Sequence, residues 1–66
     1  MLKVSDCVLV ECVEAKENFV TPVKGNQYYC YLPSKCEFSG EEFADYYLMN
    51  GVYAGNFCTR RFKEVN

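Results

Sequence analysis

The cysteines are the residues of this 66-residue chain that are best suited to carry out chemistry, because thiolates bind metal ions and act as nucleophiles. They stand at Cys7, Cys12, Cys30, Cys36 and Cys58. Structural zinc sites normally use closely paired cysteines, often with histidine, whereas this chain has no Cys-x-x-Cys pair and no histidine. Cys12 and Cys30 also fall on the apolar faces of predicted strands. We therefore expect free thiols that mostly fill the core, with no metal and no cofactor.

Four acidic residues form a second group, at Glu37, Glu41, Glu42 and Asp45. Carboxylates at this spacing could act as a general acid and base, bind a cation, or face a basic partner. A solvated acidic loop is the simplest alternative. Catalysis needs a perturbed pair in a cleft, which so short a chain seldom builds, and the sequence contains no evident nucleophile and base pair. We expect no enzymatic activity and assign these four residues to a partner-binding edge.

The tyrosines are more numerous than a small core can bury, six in all. Tyrosine is enriched at protein interfaces, since it offers a large rigid surface with a polar tip. We predict that Tyr29, Tyr31 and Tyr47 form a partner-binding patch on the outer face of a sheet, with ordinary packing on that surface as the alternative. A rival interpretation has the rings stacking on the bases of a single-stranded nucleic acid. The phosphate contacts would then come from Arg60, Arg61 and Lys63.

Composition and charge limit the classes of function. Half of the residues are hydrophobic, which is enough for one small folded domain, and the limited core makes a homo-oligomer a further expectation. The net charge of −2 does not attract phosphate backbones, so nucleic acid is the less favoured partner. The first residues lack a signal peptide pattern, and no stretch approaches the length of a membrane span. We expect a cytoplasmic protein with no membrane contact.

Alternating apolar residues predict the first two strands. Residues 7–13 place Val8, Val10 and Cys12 on one face, and residues 27–32 place Tyr28, Cys30 and Leu32 on one face. The expected end of the second strand is Pro33-Ser34. Both strands therefore present one apolar face to a core.

Residues 39–50 allow two interpretations. As a helix, the segment would begin at a Ser39 N-cap with Glu42 in a capping box and end before Gly51. As a strand over residues 45–49, it would follow a short helical turn at residues 39–44. It would then pair with residues 52–57 across a two-residue Asn50-Gly51 turn, the strongest short hairpin signal. We favour the strand, which places Tyr47 opposite Ala54 and groups Leu48, Tyr53 and Phe57 on a core face.

The end of the chain predicts one helical turn over residues 58–61 and a short closing strand, with Arg60 and Arg61 facing solvent between the core residues Phe57 and Phe62.

Three segments together resemble the small SH3-like barrels of bacteriophage and prophage genomes: Lys3-Val4-Ser5-Asp6-Cys7-Val8, Lys24-Gly25-Asn26-Gln27-Tyr28, and the stretch from Tyr53 to Val65. The resemblance implies a mainly β, five-stranded SH3-like barrel over residues 1–66, with a long loop after the first strand and a short helical turn before the last. An α+β fold with a helix at about residues 40–50 is the alternative. The loop and tryptophan that read polyproline peptides in eukaryotic SH3 domains are missing here, so that activity does not carry over.

The function that this resemblance and the tyrosine surplus imply is that of a small phage-type accessory protein. It would bind a host protein in the host cytoplasm and modulate it, by inhibition. The alternative is a nucleic-acid-binding module of SH3-like or OB-like type.

Overall fold

Alternation of apolar and polar side chains produces a mainly β fold. The computed structural model describes residues 2–15 and 22–65, and the long loop expected after the first strand falls largely outside these ranges. Two single 3-10 turns, Val4–Asp6 and Thr59–Arg61, accompany the strands. The five strands are β1 (Cys7–Cys12), β2 (Gln27–Phe38), β3 (Glu41–Tyr47), β4 (Tyr53–Cys58) and β5 (Phe62–Glu64).

The strands form one antiparallel sheet in the order β4-β3-β2-β1-β5. The sheet curls into a half-barrel that is compatible with an SH3-like barrel, which confirms the mainly β fold class. The expected turn before the last strand is present as Thr59–Arg61. Within the described ranges there is no α-helix, so the α+β alternative is wrong, and no helix there could cross a membrane.

The core lies on the concave face of the sheet. Its centre is aromatic, because the ring of Tyr46 stacks on that of Phe62 at 4.0 Å and Tyr28 meets Phe62 edge-on at 5.9 Å. The predicted core faces of β1 and β2 are confirmed, with Leu32 the exception at 39% exposed. Within the described ranges, the core cluster consists of the buried residues Val10, Cys12, Tyr28, Cys30, Ala44, Tyr46 and Phe62.

The β2–β3 hairpin turns at Ser39-Gly40, where both residues have positive φ, 54° and 81°. Such a pair is typical of a two-residue type I′ turn. The helical turn predicted at residues 39–44 is therefore wrong, and β3 begins at Glu41. Pro33-Ser34 does not end β2, because the strand passes through a bulge between Tyr31 and Cys36 and then resumes pairing.

The β3–β4 connection contains Asn50-Gly51, but it is wider than the predicted two-residue turn. Only Gly51 has positive φ, and Asn50 instead accepts a hydrogen bond from the Val52 amide through its side-chain oxygen at 3.0 Å. The wider loop shifts the register, so that Tyr47 lies opposite Tyr53 rather than Ala54. Tyr53 is 54% exposed, and its predicted place in the core is therefore wrong.

A second irregularity follows in β4, where pairing with β3 shifts between Tyr46 and Tyr47. Gly55 lies opposite Tyr46 with φ +142°, and a Cβ there would come 2.7 Å from the Phe57 ring. Glycine thus lets Phe57 pack directly beneath the strand.

Candidate interaction surface

The convex face of the sheet, which we call the outer face, is built by two parallel rows of residues. In register, the first row runs from Leu9 through Tyr29 and Tyr47 to Tyr53. The second row runs from Cys7 through Tyr31 and Asp45 to Asn56. Because side chains alternate along a strand and the neighbours of these residues fill the core, both rows point away from it.

Four tyrosines form the centre of this face, and we call them the tyrosine patch: Tyr29, Tyr31, Tyr47 and Tyr53. Tyr47 meets Tyr31 edge-on at 6.2 Å and Tyr53 at 5.4 Å, with interplanar angles of 74° and 67°. Edge-to-face rings at these distances attract one another and hold each other in place. The patch is therefore an ordered surface. The three tyrosines proposed from the sequence are brought together there, and Tyr53 joins them.

Asp45 lies inside the patch on β3, the strand between β2 and β4. Its Oδ1 accepts hydrogen bonds from the Tyr53 hydroxyl at 3.1 Å and from the Asn56 amide Nδ2 at 3.0 Å. The pKa of Tyr53 is raised by partial desolvation of the hydroxyl, by this hydrogen bond and by the carboxylate charge. The tyrosine hydroxyl therefore stays protonated and acts as a donor toward Asp45.

A second aromatic area continues the outer face toward the β2–β3 turn. Phe38 is 72% exposed and lies on the same face as Phe43, which is half-buried. Together with Cys36 and Asn56 they line a shallow cleft of about 320 Å³. The sequence interpretation missed both phenylalanines, because it did not recognise Ser39-Gly40 as the hairpin turn that sets their alternation.

At the other end of the patch a shallow cleft of about 440 Å³ borders Tyr29. Met49 and Val4 line it, and both are more than half exposed. Apolar surface thus flanks the tyrosine patch on two sides.

The acidic residues do not gather at a single edge. Glu41 lies on the outer face and pairs with Arg60 at 3.3 Å, whereas Glu42 points to the opposite side and pairs with Lys35 at 3.7 Å. Glu37 lies directly across the hairpin from Glu42. Of the four residues assigned to a partner-binding edge, only Asp45 is placed within the tyrosine patch.

The basic residues do not gather either. Arg61 is only 5% exposed, so its predicted position facing solvent is wrong. Its Nε donates to the Glu14 carbonyl oxygen at 3.1 Å, and its guanidinium lies 5.6 Å from the centre of the Phe57 ring. Arg60 is exposed and paired with Glu41, and Lys63 lies on β5, at the edge of the sheet opposite β4.

The thiols follow the expected pattern in part. Cys12 and Cys30 are buried, whereas Cys36 is exposed. Burial raises the pKa of Cys30, which keeps this thiol protonated beside the Tyr46 hydroxyl. Within residues 2–15 and 22–65 no three cysteine, histidine or carboxylate side chains lie close enough together to hold a metal ion.

Comparison with known proteins gives no match: no family model fits the chain, and no curated protein and no solved structure is significantly similar to it.

Proposed function

We propose that the chain is a small protein-binding module that docks a partner protein on its outer face and modulates that partner by occupying its surface. In the biological setting implied by the resemblance, the chain is a phage-type accessory protein and the partner is a host protein, which it inhibits. The single observation that carries the proposal is the distribution of aromatic side chains.

The outer face has more aromatic side chains than the core. Tyr28, Tyr46, Phe57 and Phe62 pack inward, as one small core requires. Facing outward are Tyr29, Tyr31, Phe38, Phe43, Tyr47 and Tyr53. Ordered aromatic rings with apolar flanks are what the centre of a protein interface contains.

The size of the molecule fits this role. It measures 29 × 25 × 22 Å, so one face offers on the order of 600 Å² to a partner, toward the lower end of specific interfaces. An interface of that size depends on a few well-packed anchor residues rather than on area. Tyr47 is the natural anchor, because it touches two other rings of the patch.

A protein partner fits the charges of this face better than a nucleic acid does. Asp45 places a carboxylate among the rings that would have to stack on bases, and Arg60 is neutralised by Glu41. Arg61 is buried away from any phosphate. The net charge of −2 adds a repulsive field.

The proposal is tested by quantitative affinity purification from bacterial lysate with wild-type protein and two variants. Tyr47→Ala should lower recovery of the partner at least about tenfold, as loss of a central aromatic anchor does. Val23→Ala, which shortens an apolar side chain 45% exposed in the turn before β2, should leave recovery unchanged. Recovery of no protein, or equal recovery with all three baits, would overturn the proposal. The proposal would also be overturned if the protein bound labelled single-stranded DNA or RNA in a salt-dependent way and Tyr47→Ala abolished that binding.

A further inference from the structure

The environment of Asp45 indicates what kind of partner the outer face accepts. The residue is half-buried on β3, with Tyr31 and Asn56 as its cross-strand neighbours. Tyr47 follows two positions later on the same face. A partner that covers the tyrosine patch therefore also covers this carboxylate.

The hydrogen bonds of Asp45 leave its charge uncompensated. Both donors to Oδ1, the Tyr53 hydroxyl and the Asn56 amide, are neutral groups. The ion pairs within the described ranges involve Glu41 and Glu42, not Asp45. A carboxylate accepts about four hydrogen bonds, and in the described part of the chain Oδ2 receives none.

Covering this charge with an apolar surface would be unfavourable. Removing an ion from water is strongly unfavourable unless an opposite charge replaces the lost hydration. A partner of the tyrosine patch therefore has to bring a cation to Oδ2. Without that cation, the aromatic contacts around Asp45 would be opposed by its desolvation.

Arginine suits the site better than lysine. A planar guanidinium donates two parallel hydrogen bonds to a carboxylate and stacks on aromatic rings. Tyr31 and Tyr47, held edge-to-face at 6.2 Å, offer ring surface beside the carboxylate. We infer that the partner is a protein that inserts an arginine side chain between apolar neighbours, with the guanidinium on Asp45 and against the tyrosine rings. This inference rests on the proposed function and adds the chemistry of its partner.

The test uses two short peptides and four forms of the protein, followed by ¹H–¹⁵N correlation spectra. The probes are acetyl-Leu-Arg-Leu-amide and the same peptide with citrulline, which keeps the shape of arginine but is neutral. The arginine peptide should shift the amide signals of Asp45 and Asn56 and bind about fivefold tighter than the citrulline peptide, the effect of one partly exposed ion pair.

Asp45→Asn is the decisive variant, since the asparagine oxygen still accepts from Tyr53 and Asn56 while the charge is gone. It should abolish the preference for arginine without lowering the thermal unfolding midpoint by more than a few degrees. Glu37→Gln makes the same change in net charge on the opposite side of the hairpin and should keep the preference. Tyr47→Ala should weaken the binding of both peptides.

The inference is overturned if the two peptides bind equally, if neither shifts any signal at about 10 mM, a weak-binding limit, or if Asp45→Asn keeps the preference. A loss of the preference for the arginine peptide in Glu37→Gln would also overturn the inference, because the preference would then depend on net charge alone. If any of these results were obtained while Tyr47→Ala still lowered recovery of the partner protein in the affinity purification, the proposed function would stand.

Discussion

At the scale of single residues, the two neighbouring arginines show how far one position along the chain changes a side chain's role. Arg60 is exposed and forms a surface pair with Glu41. Arg61 is buried against Phe57, and its backbone oxygen accepts hydrogen bonds from the amides of Val13 and Glu14. Arg61 therefore joins the end of β1 to the turn before β5, which a sequence pattern of two adjacent arginines does not reveal.

This difference gives a matched prediction. Arg61→Ala should lower the free energy of unfolding by about 2–4 kcal/mol, because it removes the packing of the side-chain stem and the bond to the Glu14 carbonyl. Arg60→Ala should lower the free energy of unfolding far less than Arg61→Ala does, because an exposed ion pair contributes little to stability. Arg61→Met should fall between the wild type and Arg61→Ala, since it keeps the stem. Urea unfolding at pH 7 measures all three, and equal losses for Arg60→Ala and Arg61→Ala would contradict the assignment.

Among the candidate site residues, those that follow from alternation alone were predicted. Tyr29 and Tyr31 lie two positions apart on β2, so a strand assignment was enough to place both on one face. Tyr53 was missed, because its face depends on the register across the β3–β4 loop. Register depends on which residues of a turn adopt positive φ and on side-chain capping such as that by Asn50, and neither can be read from hydrophobic pattern.

At the scale of elements, β2 is the least regular strand, and the arrangement of the outer face depends on it. Between its paired positions Tyr31 and Cys36, the residues Leu32, Pro33, Ser34 and Lys35 lie opposite Ala44 alone. Ser34 holds this bulge in place, because its Oγ donates to the Tyr31 carbonyl oxygen at 2.8 Å and accepts from the Asp45 amide at 2.7 Å. One side chain thus replaces part of the missing ladder of hydrogen bonds.

Ser34→Ala should therefore destabilise the hairpin. The change leaves a half-buried backbone amide and a carbonyl without their partner, at a cost of about 1–3 kcal/mol. Ser5→Ala removes an exposed hydroxyl from the first 3-10 turn and should change stability by less than about 0.5 kcal/mol. Native-state hydrogen exchange should show faster exchange of the Asp45 amide in Ser34→Ala. Unchanged exchange there would show that the hydroxyl does not stabilise the bulge.

The elements themselves were predicted better than their boundaries. The apolar faces of β1 and β2 and the strand character of β3 were confirmed, because buried strands carry a strong alternating pattern. The continuation of β2 beyond Pro33 was not predicted, since proline normally ends pairing within a sheet. Here the bulge accommodates it, and the long β2–β3 hairpin that results carries Phe38 and Phe43 to the outer face.

At the scale of the whole molecule, the core combines aromatic packing with ionisable groups that must stay neutral. Tyr46 is 1% exposed and Cys30 is 4% exposed. Burial is the main cause that raises the pKa of Tyr46 above its ordinary value of 10.0, and it also raises that of Cys30 above 9.0. The folded chain therefore keeps the protons of Tyr46 and Cys30 in alkaline solution, where the unfolded chain releases them.

The sign of the resulting pH dependence follows from these directions. Because both folded pKa values are raised, the stability that these groups contribute is fully present below about pH 9 and is lost as the pH rises above their ordinary values. Above pH 10, each such group lowers the free energy of unfolding by up to about 1.4 kcal/mol per pH unit. Stability should consequently fall progressively as the pH is raised above about 9.

Tyr46→Phe tests this origin of the alkaline transition. The variant should be less stable than wild type at pH 7, since it leaves the space of a buried hydroxyl beside the Cys30 thiol empty. Its stability should nevertheless fall less steeply between pH 10 and 11, by about 1 kcal/mol over that pH unit, so that the two curves converge. Urea unfolding at half-unit steps from pH 7 to 11 provides the measurement. Parallel curves for the two proteins would show that Tyr46 does not hold the proton, and the alkaline limit of the fold would then have to arise outside the aromatic core.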